Sequence, residues 1–116
     1  MSTYKWSDIP LEQMNSQVTR QVIHASSITI ARLGIARGGS VPIHSHVNEQ
    51  VMNVISGRLK VILDGAEMVL DGGQSLVIAP HIPHSVEALE DTVAVDVFSP
   101  AREDWIRGDD AYLRQT

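Results

Sequence analysis

Short apolar runs separated by turn residues make up most of the chain. The runs are rich in Val and Ile, and each spans only a few residues. The turn segments between them are Ser26-Ser27, Gly38-Gly39, Ser56-Gly57, Asp64-Gly65, Asp71-Gly72-Gly73, Pro80 to Pro83 and Glu90-Asp91. Many short strands with Gly- and Pro-rich turns are typical of a β-sandwich or barrel. The pattern therefore predicts an all-β fold.

Local signals add two hairpins and a short helix to this picture. Asp64-Gly65 lies between two apolar runs and is a strong two-residue hairpin signal. Glu90-Asp91 predicts a second hairpin that joins the runs on either side of it. In the tail, Ser99 as N-cap, Pro100 as first helical residue and Gly108 as terminator predict a short helix.

Composition and charge restrict the class of protein. The 116 residues fit one domain, with a barrel core over about 18–98 and a tail over 99–116. The net charge of −5 gives no electrostatic footprint for nucleic acid or an anionic membrane. The chain has no cysteine, which excludes disulfides, thiolate metal ligands and cysteine nucleophiles. We expect a cytoplasmic protein without nucleic-acid or membrane partners, since neither a signal peptide nor a membrane-spanning run is visible.

Histidines provide the first candidate chemistry. His44 and His46 are two apart, so on a strand they point to the same face. Gln50 follows on the next predicted strand, and His84 begins a later one. Three neutral imidazoles and a side-chain oxygen are suitable ligands for a divalent first-row ion and leave a coordination position open. Each residue alone is a weak signal, and the prediction of a metal site depends on their order and spacing.

That order resembles a known family. The segment with Gly38, His44-Ser45-His46, Gln50 and Gly57 resembles the first motif of the cupins, and the segment with Gly73, Pro80, Pro83 and His84 resembles the second. The resemblance covers about residues 28–98. It implies a jelly-roll barrel, also called a double-stranded β-helix, and one divalent transition metal ion held by the four predicted ligands. It also implies a homodimer, because cupins commonly pair through their N-terminal strands.

Gln50 departs from the usual motif, where a Glu stands at this position. Glu49 precedes it, but a one-residue shift along a strand turns the side chain to the opposite face. Gln50 is therefore the better ligand candidate. With four neutral ligands a divalent ion keeps a charge near +2, which favours a Lewis acid over a redox centre. The ligand set accepts Zn, Ni, Fe, Mn or Co.

A second group of candidate residues follows near the end of the barrel. Asp96 and Phe98 share one strand face, and Arg102 lies on the predicted tail helix, from which it can fold back over the barrel mouth. An inward Asp can act as a general acid or base, Arg can clamp a carboxylate, and Phe can form a pocket wall. Met52, on the face of Gln50, is expected to line the same pocket. The alternative is structural: Arg102 pairs with Asp96 and Phe98 belongs to the core.

The resemblance favours the functional interpretation. Residues 96–102 read Asp-Val-Phe-Ser-Pro-Ala-Arg, similar to a segment of small cupins that linearise unsaturated monouronates from pectin and alginate. The leading hypothesis is a metal-dependent isomerase or lyase for a small carboxylated sugar-derived or keto-acid substrate, with Asp96 and Arg102 catalytic and Phe98, Met52 and Arg102 binding the substrate. The alternatives are an Fe(II)-dependent dioxygenase that cleaves a carbon–carbon bond and a non-catalytic small-molecule-binding module.

Overall fold

The computed structural model describes residues 2–115 and is built mainly from β-strands. The ten strands are β1 (Glu12–Gln13), β2 (Val18–His24), β3 (Thr29–Ile35), β4 (Ser40–His44), β5 (Glu49–Ser56), β6 (Arg58–Leu63), β7 (Ala66–Asp71), β8 (Ser75–Ile78), β9 (His84–Ala88) and β10 (Thr92–Ser99). One α-helical turn, α1 (Glu103–Ile106), follows β10, and 3-10 turns lie at Trp6–Asp8 and Ala111–Arg114.

The strands form two antiparallel sheets, which confirms the predicted all-β barrel. The larger sheet has six strands in the order β1-β2-β3-β10-β5-β8, and the smaller has four in the order β4-β9-β6-β7. Along β10 and β5 buried and partly buried residues alternate, because successive side chains point to opposite faces of a sheet. The inner faces share one apolar core, in which Val18, Val54 and Val61 are almost completely buried.

The two predicted hairpins had different outcomes. Asp64-Gly65 joins β6 to β7 as predicted, and both turn residues have positive φ, 48° and 83°. The hairpin predicted at Glu90-Asp91 is wrong, because β9 and β10 belong to different sheets. Both edges of β9 are occupied, by β4 and β6, so the chain has to cross to the larger sheet before it continues as β10.

The tail helix is shorter than predicted. It begins at Glu103 rather than at Pro100, with Arg102 as its N-cap residue. Ser99 cannot serve as the cap because it is still part of β10, where it is paired with Glu49 of β5. Gly108 ends the helical segment as expected, with φ of 82° and its N–H donating to the Trp105 carbonyl at 2.9 Å.

After α1 the chain turns back over one end of the barrel. The 3-10 turn at Ala111–Arg114 lies against β4, the strand that ends in His44. The tail therefore covers the end of the barrel at which the predicted site residues are found. Within residues 2–115 no helix has the length and apolar character needed to cross a bilayer.

Candidate metal centre and active site

Three histidines meet at the covered end of the barrel. His44 ends β4, His84 begins β9, and the two are paired in register. The loop after β4 brings His46 beside them. One ring nitrogen from each of the three imidazoles lies within 4.8 Å of the others, an arrangement that could hold a metal ion. His46 was expected on the same strand as His44; this is wrong, since β4 ends at His44, and the loop rather than strand alternation directs His46 inward.

Backbone contacts fix the orientation of all three rings. His44 Nδ1 lies 2.9 Å from the Pro42 carbonyl, and His84 Nδ1 lies 2.8 Å from that of Ile82. His46 Nδ1 is 3.0 Å from the carbonyl of Asn48. A carbonyl can only accept, so each Nδ1 carries the proton and donates it. Each Nε2 is therefore the free, lone-pair nitrogen, as in metal-binding histidines oriented by a backbone acceptor.

Burial keeps the imidazoles neutral. It lowers the pKa of His44 to about 3, although the hydrogen bond to Pro42 acts in the opposite direction. It lowers the pKa of His46 to about 4, with the Arg102 charge adding to the shift. The pKa of His84 is lowered for the same main reason. Neutral imidazole is the form that binds a metal ion, so the donor set fits a divalent transition ion at neutral pH.

Gln50 lies directly beside this cluster. Its side chain is 4% exposed, whereas Glu49 points outward, as strand alternation requires. Gln50 Oε1 is 3.0 Å from His46 Nε2. With the His46 proton on Nδ1, both of these atoms are acceptors, and a cation between them would remove their repulsion. The role of Gln50 as a metal ligand stays a prediction, and this contact supports it.

Asn48 is a residue of the site that sequence reasoning missed. Its side-chain amide donates to the carbonyl of Pro100 at 2.7 Å and to that of Ala101 at 3.3 Å. Its own carbonyl accepts the His46 proton. Asn48 therefore ties the histidine loop to the start of the tail. No sequence signal indicated this role, because a single Asn in a loop is not part of any periodic pattern of residues.

Asp96 is buried on the inner face of β10, next to Gln50 on the neighbouring strand. It is 3% exposed, and burial raises its pKa to about 7, while the Gln50 side chain and the Arg102 charge oppose the shift. The Gln50 side chain thus lies near both Asp96 and His46, with its oxygen toward His46. Asp96 Oδ1 has no hydrogen-bond partner within residues 2–115. This carboxyl group can therefore exchange a proton near neutral pH.

Arg102 does not pair with Asp96, so that part of the structural alternative is wrong, whereas Phe98 does belong to the apolar core. Its Nε and Nη2 donate to the two carboxylate oxygens of Asp104, at 3.0 and 2.8 Å. Its guanidinium lies between two aromatic rings, 4.7 Å from the Phe98 centroid and 4.1 Å from that of Trp105. Arg102 is 1% exposed, and in the described part of the chain its Nη1 has no hydrogen-bond partner.

Tyr112 is the second residue that sequence reasoning missed. Its ring stacks on His44 with a centroid distance of 4.4 Å. Its hydroxyl oxygen accepts hydrogen bonds from Arg102 Nη2 at 2.9 Å and from Trp105 Nε1 at 3.2 Å. The tail segment that carries Tyr112 is irregular, so hydrophobic periodicity gave no signal for its position.

The predicted site residues other than His46, together with the tail, surround one small central cavity. Its volume is about 30 Å³. Met52 and Phe98 line it as expected, and both are buried. The complete lining consists of Leu33, Ile35, Val41, His44, Gln50, Met52, Leu59, His84, Val86, Ala94, Asp96, Phe98, Arg102, Trp105, Tyr112 and Leu113. A few polar groups converge in a mainly apolar pocket, which is typical of small-molecule sites.

The fold and the site together define a small β-barrel with three histidines at one end of its interior. Residues 31–99 match the family described as Cupin_2, Cupin domain. The match spans more than half of the chain, which therefore belongs to the cupin family.

Particular relatives are similar to the chain over most of its length. The chain is 26% identical over 102 residues to the pectin degradation protein KdgF of Dickeya dadantii (strain 3937), covering 85% of this chain and 93% of that protein. Among solved structures, KdgF from Halomonas sp. matches with a TM-score of 0.85 at 26% identity, covering 90% of this chain and 98% of that one. An RmlC-like cupin from Shewanella frigidimarina NCIMB 400 has the same TM-score, identity and coverage of this chain, and 96% of it is covered.

Proposed function

We propose that this cupin is a metal-dependent isomerase or lyase that acts on a small carboxylated sugar-derived or keto-acid substrate, as in the linearisation of unsaturated monouronates. The similarity to pectin degradation proteins over most of the chain supports this class of substrate. The reaction itself is inferred from the chemistry of the site.

One observation carries the proposal. Three buried polar atoms that lack a hydrogen-bond partner within residues 2–115 belong to residues lining the same cavity: His84 Nε2, Asp96 Oδ1 and Arg102 Nη1. An unsatisfied buried polar atom is costly and rare unless a ligand or water satisfies it. The three atoms differ in chemistry: one can bind a metal, one can carry a proton and one can bind an anion.

The metal would be held by the histidine cluster and Gln50. His44, His46 and His84 each present a neutral Nε2, and Gln50 adds an amide oxygen. When bound, a divalent ion of Zn, Ni, Fe, Mn or Co would polarise a ring or carbonyl oxygen of the substrate. Because all four ligands are neutral, they would leave the positive charge of the ion undiminished.

The remaining residues would bind the substrate and move a proton. Asp96, with its pKa raised to about 7 by burial, can hold a proton at neutral pH and release it to a base. Arg102 is held in place by Asp104 and two aromatic rings and presents Nη1 to a substrate carboxylate. Phe98 and Met52 would exclude water from the apolar side of the pocket.

Turnover of an unsaturated monouronate, followed by NMR of the ring and open-chain forms, tests these roles. We expect Asp96→Asn to lower kcat by roughly 10²–10⁴-fold, because proton transfer is lost. Arg102→Lys should mainly raise KM, since Lys lacks the planar guanidinium fork.

Arg32→Gln is the matched control, because Arg32 is exposed on the outer face of β3, and it should leave turnover unchanged. Unchanged rates in both site variants would refute the assigned roles. Ferrous-dependent oxygen uptake would instead indicate a dioxygenase, and a ligand recovered intact would indicate a binding module.

A further inference from the structure

The last turn of the tail occupies the place that a ligand of the site needs. The central cavity measures only about 30 Å³, roughly a tenth of the ~300 Å³ at which small-molecule pockets begin. Tyr112 and Leu113 belong to its lining, so the tail itself limits its size. A six-carbon sugar acid therefore needs this segment to move. We call residues 110–114 the plug.

The plug uses the hydrogen-bond donors that an anionic ligand would use. The Tyr112 hydroxyl oxygen accepts from both Arg102 Nη2 and Trp105 Nε1, as a carboxylate oxygen would. Asp104 holds the Nε–Nη2 edge of Arg102, which leaves the Nη1–Nη2 edge for a ligand. Tyr112 occupies only the Nη2 half of that edge, while Nη1 has no partner within residues 2–115. A carboxylate could use both halves and Trp105 as well.

Side-chain contacts at the margin hold the plug in place. The Asp110 carboxylate accepts from Arg20 Nη2 of β2 at 2.9 Å. Asn15 Nδ2 donates to the carbonyls of Leu113 and Gln115 at 3.2 and 2.8 Å. These contacts can break without separating any strand of either sheet. Gly108, just before the plug, has a φ of 82°, and a Cβ there would meet no described atom within 4 Å, so the chain has room to turn at this position.

We propose that the plug is a gate whose Tyr112 hydroxyl holds the place of a ligand carboxylate, and that an anionic ligand replaces it on Arg102 and Trp105. This inference rests on the proposed function for the chemistry of the ligand. It adds Trp105 as a residue that binds the ligand carboxylate, and Asp110 as the residue whose contact with Arg20 keeps the plug closed. Closure lowers the apparent affinity for every ligand by the fraction of molecules in which the plug is open.

A single cysteine can measure the opening of the plug, because the chain has no other. Met52→Cys places a thiol in the lining of the cavity, and its rate of reaction with a thiol reagent reports access. Adding Asp110→Asn should raise this rate ~10-fold, since the charge-assisted contact that ties the plug to Arg20 is weakened. Adding Asp109→Asn should leave it unchanged, because Asp109 is exposed and lies 4.0 Å from Arg107.

A second reporter separates opening of the plug from unfolding. Val61→Cys lies in the barrel core outside the cavity lining, at 0% exposure. Its labelling rate should not respond to Asp110→Asn. Equal labelling of the Met52→Cys thiol with and without Asp110→Asn, or equal acceleration at both reporter positions, would overturn the gate.

The role of Tyr112 as a placeholder has its own test. Tyr112→Ala leaves Arg102 and Trp105 without the phenol oxygen, so acetate should raise the melting temperature of this variant more than that of wild type. Acetamide, which is neutral and of similar size, should have no such effect. If acetate and acetamide act alike on Tyr112→Ala, the phenol is only a packing group. Neither measurement uses turnover or a metal, so a chain without uronate activity could still show both effects.

Discussion

The barrel and the tail are stabilised in different ways. Inside the barrel, strands such as β3, β9 and β10 are paired on both edges and contribute to one continuous apolar core. The tail after β10 adds no strand among the described residues; Trp105 and Leu113 reach the core, and side-chain contacts of Asp110 and Asn15 attach the last turn at the margin. A segment held in this way can open while the sheets stay intact. The proposed gate therefore moves the plug alone and leaves the two sheets in place.

The residues of the proposed site are likewise divided between the barrel and the tail. All four predicted metal ligands belong to the barrel or its loops, whereas the donors for an anionic ligand, Arg102 and Trp105, belong to the tail. Movement of the plug would therefore change access to Arg102 and Trp105 without changing the metal ligands. Metal binding and substrate binding should respond to different substitutions, and matched pairs of variants can test this.

The largest expected effect is on the free energy of unfolding, and alanine substitutions of two buried leucines test it. Leu59→Ala removes a side chain that is 1% exposed in the barrel core, and we expect it to lower the free energy of unfolding by about 2–5 kcal/mol. Leu113→Ala, at 3% exposure in the plug, should cost less than ~2 kcal/mol, because the tail can undock instead of unfolding the barrel. Denaturant titration of both variants measures the difference; equal losses would show that barrel and tail unfold as one unit.

The next effect concerns metal binding by the barrel. His84→Ala removes one of the three clustered imidazoles, and we expect the affinity for Zn or Ni to fall by at least ~100-fold. His81→Ala is the control, because the His81 side chain is exposed and the residue contacts His46 through its backbone N–H. Isothermal titration with the metal alone gives both affinities. A similar affinity in the two variants would exclude His84 as a ligand.

The barrel part of this site was largely predictable from sequence, for a physical reason. Strand alternation has a period of two, so it distinguished Gln50 from Glu49 and placed Asp96 and Phe98 on one inner face. The tail could not be predicted in this way. Tyr112 meets His44 across a long stretch of chain through an irregular turn, and no periodic signal encodes that contact.

Two wrong predictions show the limit of local sequence signals. Glu90-Asp91 resembles a hairpin turn, but the pairing of β9 with β4 and β6 depends on the whole sheet. Ser99-Pro100 resembles a helix start, but Ser99 remains paired with Glu49. In both cases non-local strand pairing prevailed over a local preference. The partner of Arg102 was missed as a result, because Asp104 meets it only when the helix begins at Glu103.

A smaller effect concerns the charge of the predicted ligand set. Gln50→Glu would supply an anionic ligand, and we expect the metal affinity to rise ~10-fold, because the positive charge of the ion is partly neutralised. Glu49→Gln, on the outer face of the same strand, changes the charge in the opposite direction and should leave the affinity unchanged. Competition with a chelator measures both. An unchanged affinity in Gln50→Glu would place residue 50 outside the coordination sphere.

The smallest effect compares two glycines, one in the barrel and one before the plug. Gly65 and Gly108 have φ of 83° and 82°, and a Cβ at either position would meet nothing within 4 Å. Alanine should therefore introduce the same local strain, about 1 kcal/mol, at both positions. In the β6–β7 hairpin this strain can be relieved only by disrupting the sheet, so Gly65→Ala should lower the free energy of unfolding by that amount.

In Gly108→Ala the plug can open to relieve the strain, so hydrogen exchange of residues 110–114 should accelerate while global stability changes little. If Gly108→Ala lowers global stability as much as Gly65→Ala and leaves exchange in the plug unchanged, the tail does not open independently of the barrel.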